Sequence, residues 1–390
     1  MSTKHLRQSA LLILFILSLI LISNYGGAIS YTLFFAVAMI PLISVAYLIY
    51  AYFIFKIYQK IKTRNMIAGE SIPYSFILKN EGRSVLTAIS VKVFSDFSYV
   101  TNVPDNQTFR LFPGEKMEYN TSLICRYRGE YNVGVCRLVI TDFLGLFSFS
   151  YQVPAQIEAI VKPRIVELKI QNEIPDLDVF IHSNVKGEIN EPDLVVRDYI
   201  AGDAPGKIHW KSSAKSQKLK VRNDIGVLKE KILLLADFER TSNDIHQYLA
   251  LENKVLEQTI GLLYHFVLEQ TPMELVYHTD QLKRVMISDI GQFNLIYEEL
   301  SSTIFHEKNH FLSLFEKTLY HGLINEAKLI IMVIQSMDPE LFTTLADLSQ
   351  TSKTTVVYVV TEADISEYSR QNTERFKIIK VGYKEQDETQ

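Results

Sequence analysis

Residues 231–239 read KILLLADFE. Five apolar residues in a row, from Ile232 to Ala236, show no polar alternation and are too few for a helix. They read as a strand buried on both faces, the kind found at the centre of a parallel sheet covered by helices. The residues downstream agree. Ser242-Asn243-Asp244 can cap a helix in which Tyr248, Leu249, Val255, Leu256, Leu263, Phe266 and Val267 recur at helical spacing. MELVYHT and LKRVMIS then read as strands, and 293–320 as mostly helical. AKLIIMVIQ is a second buried strand, Asp338-Pro339 opens a helix, and TTVVYVV is another strand. Strands alternating with helices over 231–382 predict an α/β domain with a mostly parallel, Rossmann-type sheet. The tail 383–390 is acidic and predicted to fray.

Upstream the period changes. Over 66–165, SIPYSFILKN and AISVKVFS alternate apolar and polar residues in period two, separated by the turn EGRS. MEYNTSLICRYRG and EYNVGVCRLVITD continue the pattern, which predicts an antiparallel β-sandwich. Cys125 and Cys136, the only cysteines, flank RYRGEYNVGV, which reads as a hairpin. On paired strands they could bridge in an oxidising compartment, whereas in the cytosol they would remain thiols. Two small buried residues is the favoured reading.

The N-terminus is different again. Gln8 to Phe55 contains no Asp, Glu, Lys, Arg or His. A turn-forming cluster at Asn24-Tyr25-Gly26-Gly27 divides it into Ala10–Ser23 and Leu33–Phe55, so 8–58 reads as two transmembrane helices. Pro41 is a tolerated kink, and Tyr47, Tyr50 and Tyr52 are expected at the headgroup layer. A cleaved signal peptide is the alternative for the first run, but a second span directly after it favours a retained hairpin. Lys4 and Arg7 at one end and Lys56, Lys60, Lys62 and Arg64 at the other place both ends, and the bulk of the chain, on the cytoplasmic side of the cell membrane. The net charge of −4 gives no general pull toward nucleic acid.

Between sandwich and α/β domain, 166–230 is a connecting segment. It contains RDYIAGDAPGKIHWKSSAKSQKLKVRN (197–223), with Trp210, the one tryptophan of the chain. From Arg197 to Lys231 there are seven Lys and two Arg against three Asp and one Glu. His209, Trp210 and Lys211 could stack on and ion-pair with a ligand. They could equally anchor a protein partner, where Trp and Arg carry most binding energy. In a third reading Trp210 is a structural clasp between the two domains. One aromatic among so many lysines is a poor pattern for nucleic acid.

This stretch resembles the signature of the domain-of-unknown-function 58 family, with Arg197, Tyr199, Gly202, Asp203, Ile208, His209, Trp210, Lys211, Ser213 and Ala214 in its places. RGEYNVGVCRLVITDFLGLF is similar to that family's other recurring stretch, through Asp142, Gly145, Leu146 and Phe147. The resemblance implies a membrane α-hairpin, a β-sandwich and a von Willebrand A-like α/β domain. It also implies a partner of the MoxR-type AAA+ ATPase class and association with membrane transglutaminase-like proteins, with no reaction assigned.

An A-like domain can hold a divalent cation such as Mg²⁺ through Asp-x-Ser-x-Ser after its first strand. Here that position reads Asp237-Phe238-Glu239-Arg240-Thr241. Asp237 matches, Thr241 can replace the second Ser, Glu239 departs from the pattern, and Asp338 is the candidate later carboxylate. There is no Gly-x-Ser-x-Gly elbow, no Walker A loop and no His-Glu-x-x-His. His209 with Asp203 is a conceivable acid/base pair. The expectation is therefore a membrane-anchored, non-enzymatic scaffold that docks a protein through the 197–214 motif and the open end of the α/β sheet. The alternative is a metal-dependent binding or hydrolytic protein using Asp237, Thr241 and Asp338.

Overall fold

The computed structural model describes residues 3–102, 107–168, 170, 173–174, 177, 196–200, 208–222, 231–279, 281–307, 310–349 and 353–383. The chain divides into two compact units, Met1–Arg164 and Ile165–Gln390.

The first unit begins with α1 (Thr3–Tyr25) and α2 (Ala28–Ile54). Both are long and apolar enough to cross a membrane. They turn at Gly26 and Gly27, whose φ values of 43° and 145° suit glycine. Phe15 and Phe34 meet across the hairpin with ring centroids 5.5 Å apart. Phe55, expected to end the second span, instead starts β1 (Phe55–Ile61), which pairs antiparallel with β3 (Ser71–Asn80) from Phe55↔Asn80 onward. The sequence FKIYQKI alternates in period two, but it is fused to the apolar helix and hidden by it.

Two four-stranded sheets come next. One runs β1, β3, β7 (Lys116–Cys125), β5 (Ser98–Val100), and the other β10 (Ser148–Gln152), β9 (Val135–Thr141), β4 (Leu86–Val93), β6 (Thr108–Leu111). All pairings within them are antiparallel. Tyr74, Phe76 and Leu78 of one sheet share a single core with Ile89, Leu138 and Ile140 of the other. The expected antiparallel arrangement is complicated by a third sheet. In it β11 (Ile157–Lys162) pairs antiparallel with β8 (Gly129–Val133) and parallel with β2 (Asn65–Ile67).

The predicted hairpin around RYRGEYNVGV is therefore a correction. β7 and β9 lie in different sheets, and β8 between them pairs with β11. Gly134, with φ +82°, lets the chain change sheets, and a Cβ there would come within 2.6 Å of Gln59 Oε1. Both cysteines are free thiols, Cys125 buried and Cys136 half-buried. Burial raises the thiol pKa of both.

In the second unit β12 (Val196–Asp198) and β13 (Lys220–Arg222) form a short antiparallel pair around α3 (Trp210–Ser216). Next come β14 (Lys231–Ala236), α4 (Ile245–Leu268), β15 (Met273–His278), β16 (Leu282–Ile287) and α5 (Ile290–Ser302). Beyond them lie α6 (Phe311–Tyr320), α7 (Leu323–Glu326), β17 (Ala327–Ile334), α8 (Pro339–Ser349), β18 (Thr354–Val360), α9 (Ser366–Ser369) and β19 (Phe376–Val381). Six of these strands form one sheet in the order β16, β15, β14, β17, β18, β19. All neighbours run parallel except the edge pair β15 and β16.

The run KILLLA lies near the centre, as its composition requires. Ile232, Leu234 and Ala236 pack under α4 and α5, while Leu233 and Leu235 pack with residues of α6, α7 and α8 on the opposite face. Asp244 caps α4 by accepting from the His246 amide at 3.1 Å. Part of the segment expected only to connect belongs to this core, since Ile170, Ile174 and Leu177 are buried in the same cluster as Leu256 and Ile260 of α4. At Gly261 it comes so close that a Cβ would sit 2.7 Å from the carbonyl oxygen of Val166.

Candidate functional site

Three places bring together the residues that the sequence singles out. The first lies where the sheet order reverses. From β14 the chain proceeds to β15 and β16 on one side, and β17, β18 and β19 lie on the other. In open α/β sheets the crevice beyond the carboxyl ends of two such strands is the usual ligand position.

Asp237, directly after β14, sits there and is buried. Its Oδ1 accepts from the Glu239 amide at 3.0 Å and its Oδ2 from the Gln335 amide, just after β17, at 3.2 Å. Gln335 Nε2 also donates to the Glu239 carbonyl at 2.6 Å. The carboxylate thus ties the two strand ends together. Burial pushes its pKa up to about 7, opposed by the two amide hydrogen bonds and assisted by the charges of Glu239 and Asp338.

The loop after β14 is held from both sides. Glu239 Oε1 lies 2.8 Å from His310 Nδ1, and the Arg240 amide donates to the His306 carbonyl at 3.2 Å. Arg240 also pairs with the buried Glu252 of α4 at 2.8 Å and covers the Tyr248 ring at 4.0 Å.

Of the predicted cation ligands, Asp338 is near enough to act on Asp237 by charge, but it is exposed at the start of α8, where its carbonyl accepts from the Phe342 amide. Thr241 is exposed on the loop. Both oxygens of Asp237 are engaged by backbone donors, and among the described residues no three His, Cys, Asp or Glu side chains are gathered to hold a metal. Sequence reasoning missed Gln335, Glu239's pairing with His310, and His306. The one available signal for Gln335 was its place directly after a buried parallel strand.

The second place is the 197–222 motif. His209 caps α3, its Nδ1 accepting from the Ser212 amide at 3.1 Å. Ser213 is buried; its Oγ accepts from the Lys220 amide at 2.8 Å and lies 3.0 Å from the His209 carbonyl. Ile208 bridges to Val221, and the Tyr199 amide donates to the Leu219 carbonyl at 2.9 Å. Arg197 lies on β12 opposite Val221, and Lys220 pairs with Asp198 at 3.1 Å.

These motif residues therefore build a small hairpin and helix. What they leave outside is Trp210, 67% exposed, with exposed Lys211, Ala214, Ile200 and Leu219 on the same small unit. The indole is thus open on its own unit. Gly202 and Asp203 lie outside the described residues, so the His209–Asp203 pairing does as well.

The third place is the DFLGLF turn, 142–147. Asp142 is buried; its Oδ1 accepts from the Phe147 amide at 2.8 Å, and its Oδ2 from the buried Ser44 hydroxyl of α2 at 3.0 Å. Arg7 of α1 donates to the Leu144 carbonyl at 3.1 Å, and Gln8 to that of Leu146 at 2.7 Å. The turn grips both helices of the hairpin.

The tyrosines of α2 also pack against the β-structure. Tyr47 donates to the Val85 carbonyl at 2.9 Å, Tyr50 accepts from the Arg83 amide at 3.2 Å, and Tyr52 meets Tyr151 edge-on at 5.0 Å.

Neither a protein-family model nor a curated protein matches the chain. Among solved structures, it is similar to the CARDB domain of the PF1109 protein from Pyrococcus furiosus, with 14% identity over 27% of this chain and 86% of that one, at a TM-score of 0.19. The sporulation control protein Spo0M from Bacillus subtilis gives 15% identity over 37% and 57%, at 0.18. A GH20 exo-β-N-acetylglucosaminidase from Vibrio harveyi gives 8% over 84% and 81%, at 0.21. Scores this low establish neither a shared fold nor a shared activity.

Proposed function

We propose that the protein is a membrane-anchored, non-enzymatic scaffold whose cytoplasmic part docks another protein through the 197–222 unit. The observation that carries this is the exposure of Trp210 on a unit whose neighbouring motif residues are spent on its own hydrogen bonds. A solvent-facing indole beside lysines is the composition of a binding anchor. Two apolar helices at the N-terminus supply the anchor to the bilayer, and their flanking Lys and Arg residues put the rest of the chain inside.

In this reading the second unit is a von Willebrand A-like domain. Its sheet order with one antiparallel edge strand supports that assignment. The partner class comes from the resemblance to the domain-of-unknown-function 58 family: a MoxR-type AAA+ ATPase, acting in assembly or activation of a membrane-associated complex that can include a transglutaminase-like protein. Asp237 serves as a strand-end tie. The test is co-purification of such an ATPase with the full chain in detergent, compared with Trp210→Ala and Lys211→Ala. Partner recovery falls in both variants; unchanged recovery refutes the docking role.

A further inference from the structure

The hairpin is shorter, as a free span, than its helices suggest. From Ser44 onward α2 is seated on the β-structure through Ser44, Tyr47, Leu48, Tyr50 and Ala51. Arg7 and Gln8 hold the start of α1 to the same turn. The part that projects is about 16 or 17 residues of each helix, roughly 25 Å at ~1.5 Å per residue. A bilayer core is about 30 Å thick. A span short by about 5 Å draws its flanking surface toward the hydrocarbon.

The surface flanking this hairpin suits that position. Phe143, Leu144 and Phe149 are exposed, the first edge-on to Tyr47 at 5.8 Å and the last edge-on to Tyr52 at 5.6 Å. Between the two helices and the turn lies an apolar groove of about 630 Å³, walled by Leu12, Phe15, Pro41, Leu42, Leu146 and Phe147. Two cations bond to residues next to its Leu146–Phe147 wall: Arg7, beside the lining residue Gln8, holds the Leu144 carbonyl, and Lys4 the Ser148 hydroxyl at 2.7 Å.

We infer that this groove seats one anionic phospholipid. An acyl chain lies against Leu12, Phe15, Pro41 and Leu42, and the headgroup phosphate meets Arg7 and Lys4. The occupant is set by the match of an apolar channel open to the hydrocarbon with a cationic end at headgroup depth. Phe143, Leu144 and Phe149 rest in the interface beside it. The seat rests on the proposed membrane anchoring of the hairpin.

The test uses the full chain carrying Trp210→Phe, so that a tryptophan introduced by Phe147→Trp is the sole reporter, in nanodiscs of phosphatidylcholine with a minority of phosphatidylglycerol. Bromine is placed on the acyl chains of one lipid or the other. Brominated phosphatidylglycerol quenches the reporter with a preference of roughly tenfold or more, the scale set by two basic side chains at an anionic surface. Lys4→Gln with Arg7→Gln removes the preference. Equal quenching per brominated chain overturns the anionic seat, and so does a reporter that neither lipid quenches while an Ile20→Trp control at mid-hairpin is quenched. If the Ile20→Trp control itself is unquenched, the hairpin is outside the bilayer, and the membrane reading falls together with the seat.

Discussion

Replacing Asp237 by Asn is expected to remove a pH dependence from the stability of the α/β unit. Burial raises the folded pKa of this carboxyl to about 7, against ~3.9 in an unfolded chain. Between those two values the native state holds the proton and the unfolded state does not, so stability falls as pH rises. The contribution is fully present below pH ~4 and lost once pH passes the folded value of about 7. A gap of ~3 units corresponds to about 4 kcal/mol, with a limiting slope of ~1.4 kcal/mol per pH unit.

Asp237→Asn places an amide donor against the Glu239 or Gln335 N–H and loses one hydrogen bond. That costs about 1–3 kcal/mol and is independent of pH. The two stability curves should therefore cross. The wild-type chain is the more stable at pH ~4, and the variant gains on it through pH ~8. His265, whose pKa burial lowers, works in the opposite direction in both proteins and cancels in the difference. The assay is hydrogen exchange in urea at the paired amides of β14 and β17, such as the Asp237 amide on the Val333 carbonyl, which reports this unit alone. Parallel curves for wild type and variant across the window would refute the argument.

Three further outcomes are expected. Gly261→Ala should destabilise the second unit by ~1–3 kcal/mol despite alanine's better helix propensity, because the new Cβ meets the Val166 carbonyl at 2.7 Å; a stabilised variant in urea titration would show that residues 165–168 do not cross α4 there. Trp210→Ala should change stability by no more than ~0.5 kcal/mol, since the indole is 67% exposed, and a large loss of Tm would favour the structural clasp instead. Excess Mg²⁺ should leave the Tm of the full chain unmoved, because among the described residues no three His, Cys, Asp or Glu side chains are gathered to hold it; a shift abolished by Asp237→Ala would establish a cation site.

The elements legible in the sequence are those whose hydrophobic period matches their burial. KILLLA and TTVVYVV are unbroken apolar runs because strands between helix layers present both faces to side chains. SIPYSFILKN alternates because one face of β3 looks into the shared core. The failures occur where one pattern abuts another or where a single glycine redirects the chain. β1 is absorbed into the apolar run of α2. The sequence around Cys125 and Cys136 has the alternation of a hairpin, but Gly134 turns it into a change of sheet. β19, FKIIKV, gives little strand signal because lysines interrupt it, as they can on the edge strand it forms.

The site residues divide on different grounds. Residue type was readable, and partnership was not, because partners come from strand ends far apart in the chain. Asp237 stood out as a carboxylate after a buried strand, and chemistry alone allowed a metal ligand or a tie. The tie is made by Gln335, 98 residues away, whose amide donates to Asp237 Oδ2. Strand order carries that information: once β14 and β17 are neighbours at the reversal of the sheet, the residues just beyond each must face one another. Trp210 illustrates the converse. Its neighbours His209 and Ser213 turn inward to cap α3 and join it to β13. A large apolar side chain held at 67% exposure on a basic unit is the feature that the proposed docking role rests on.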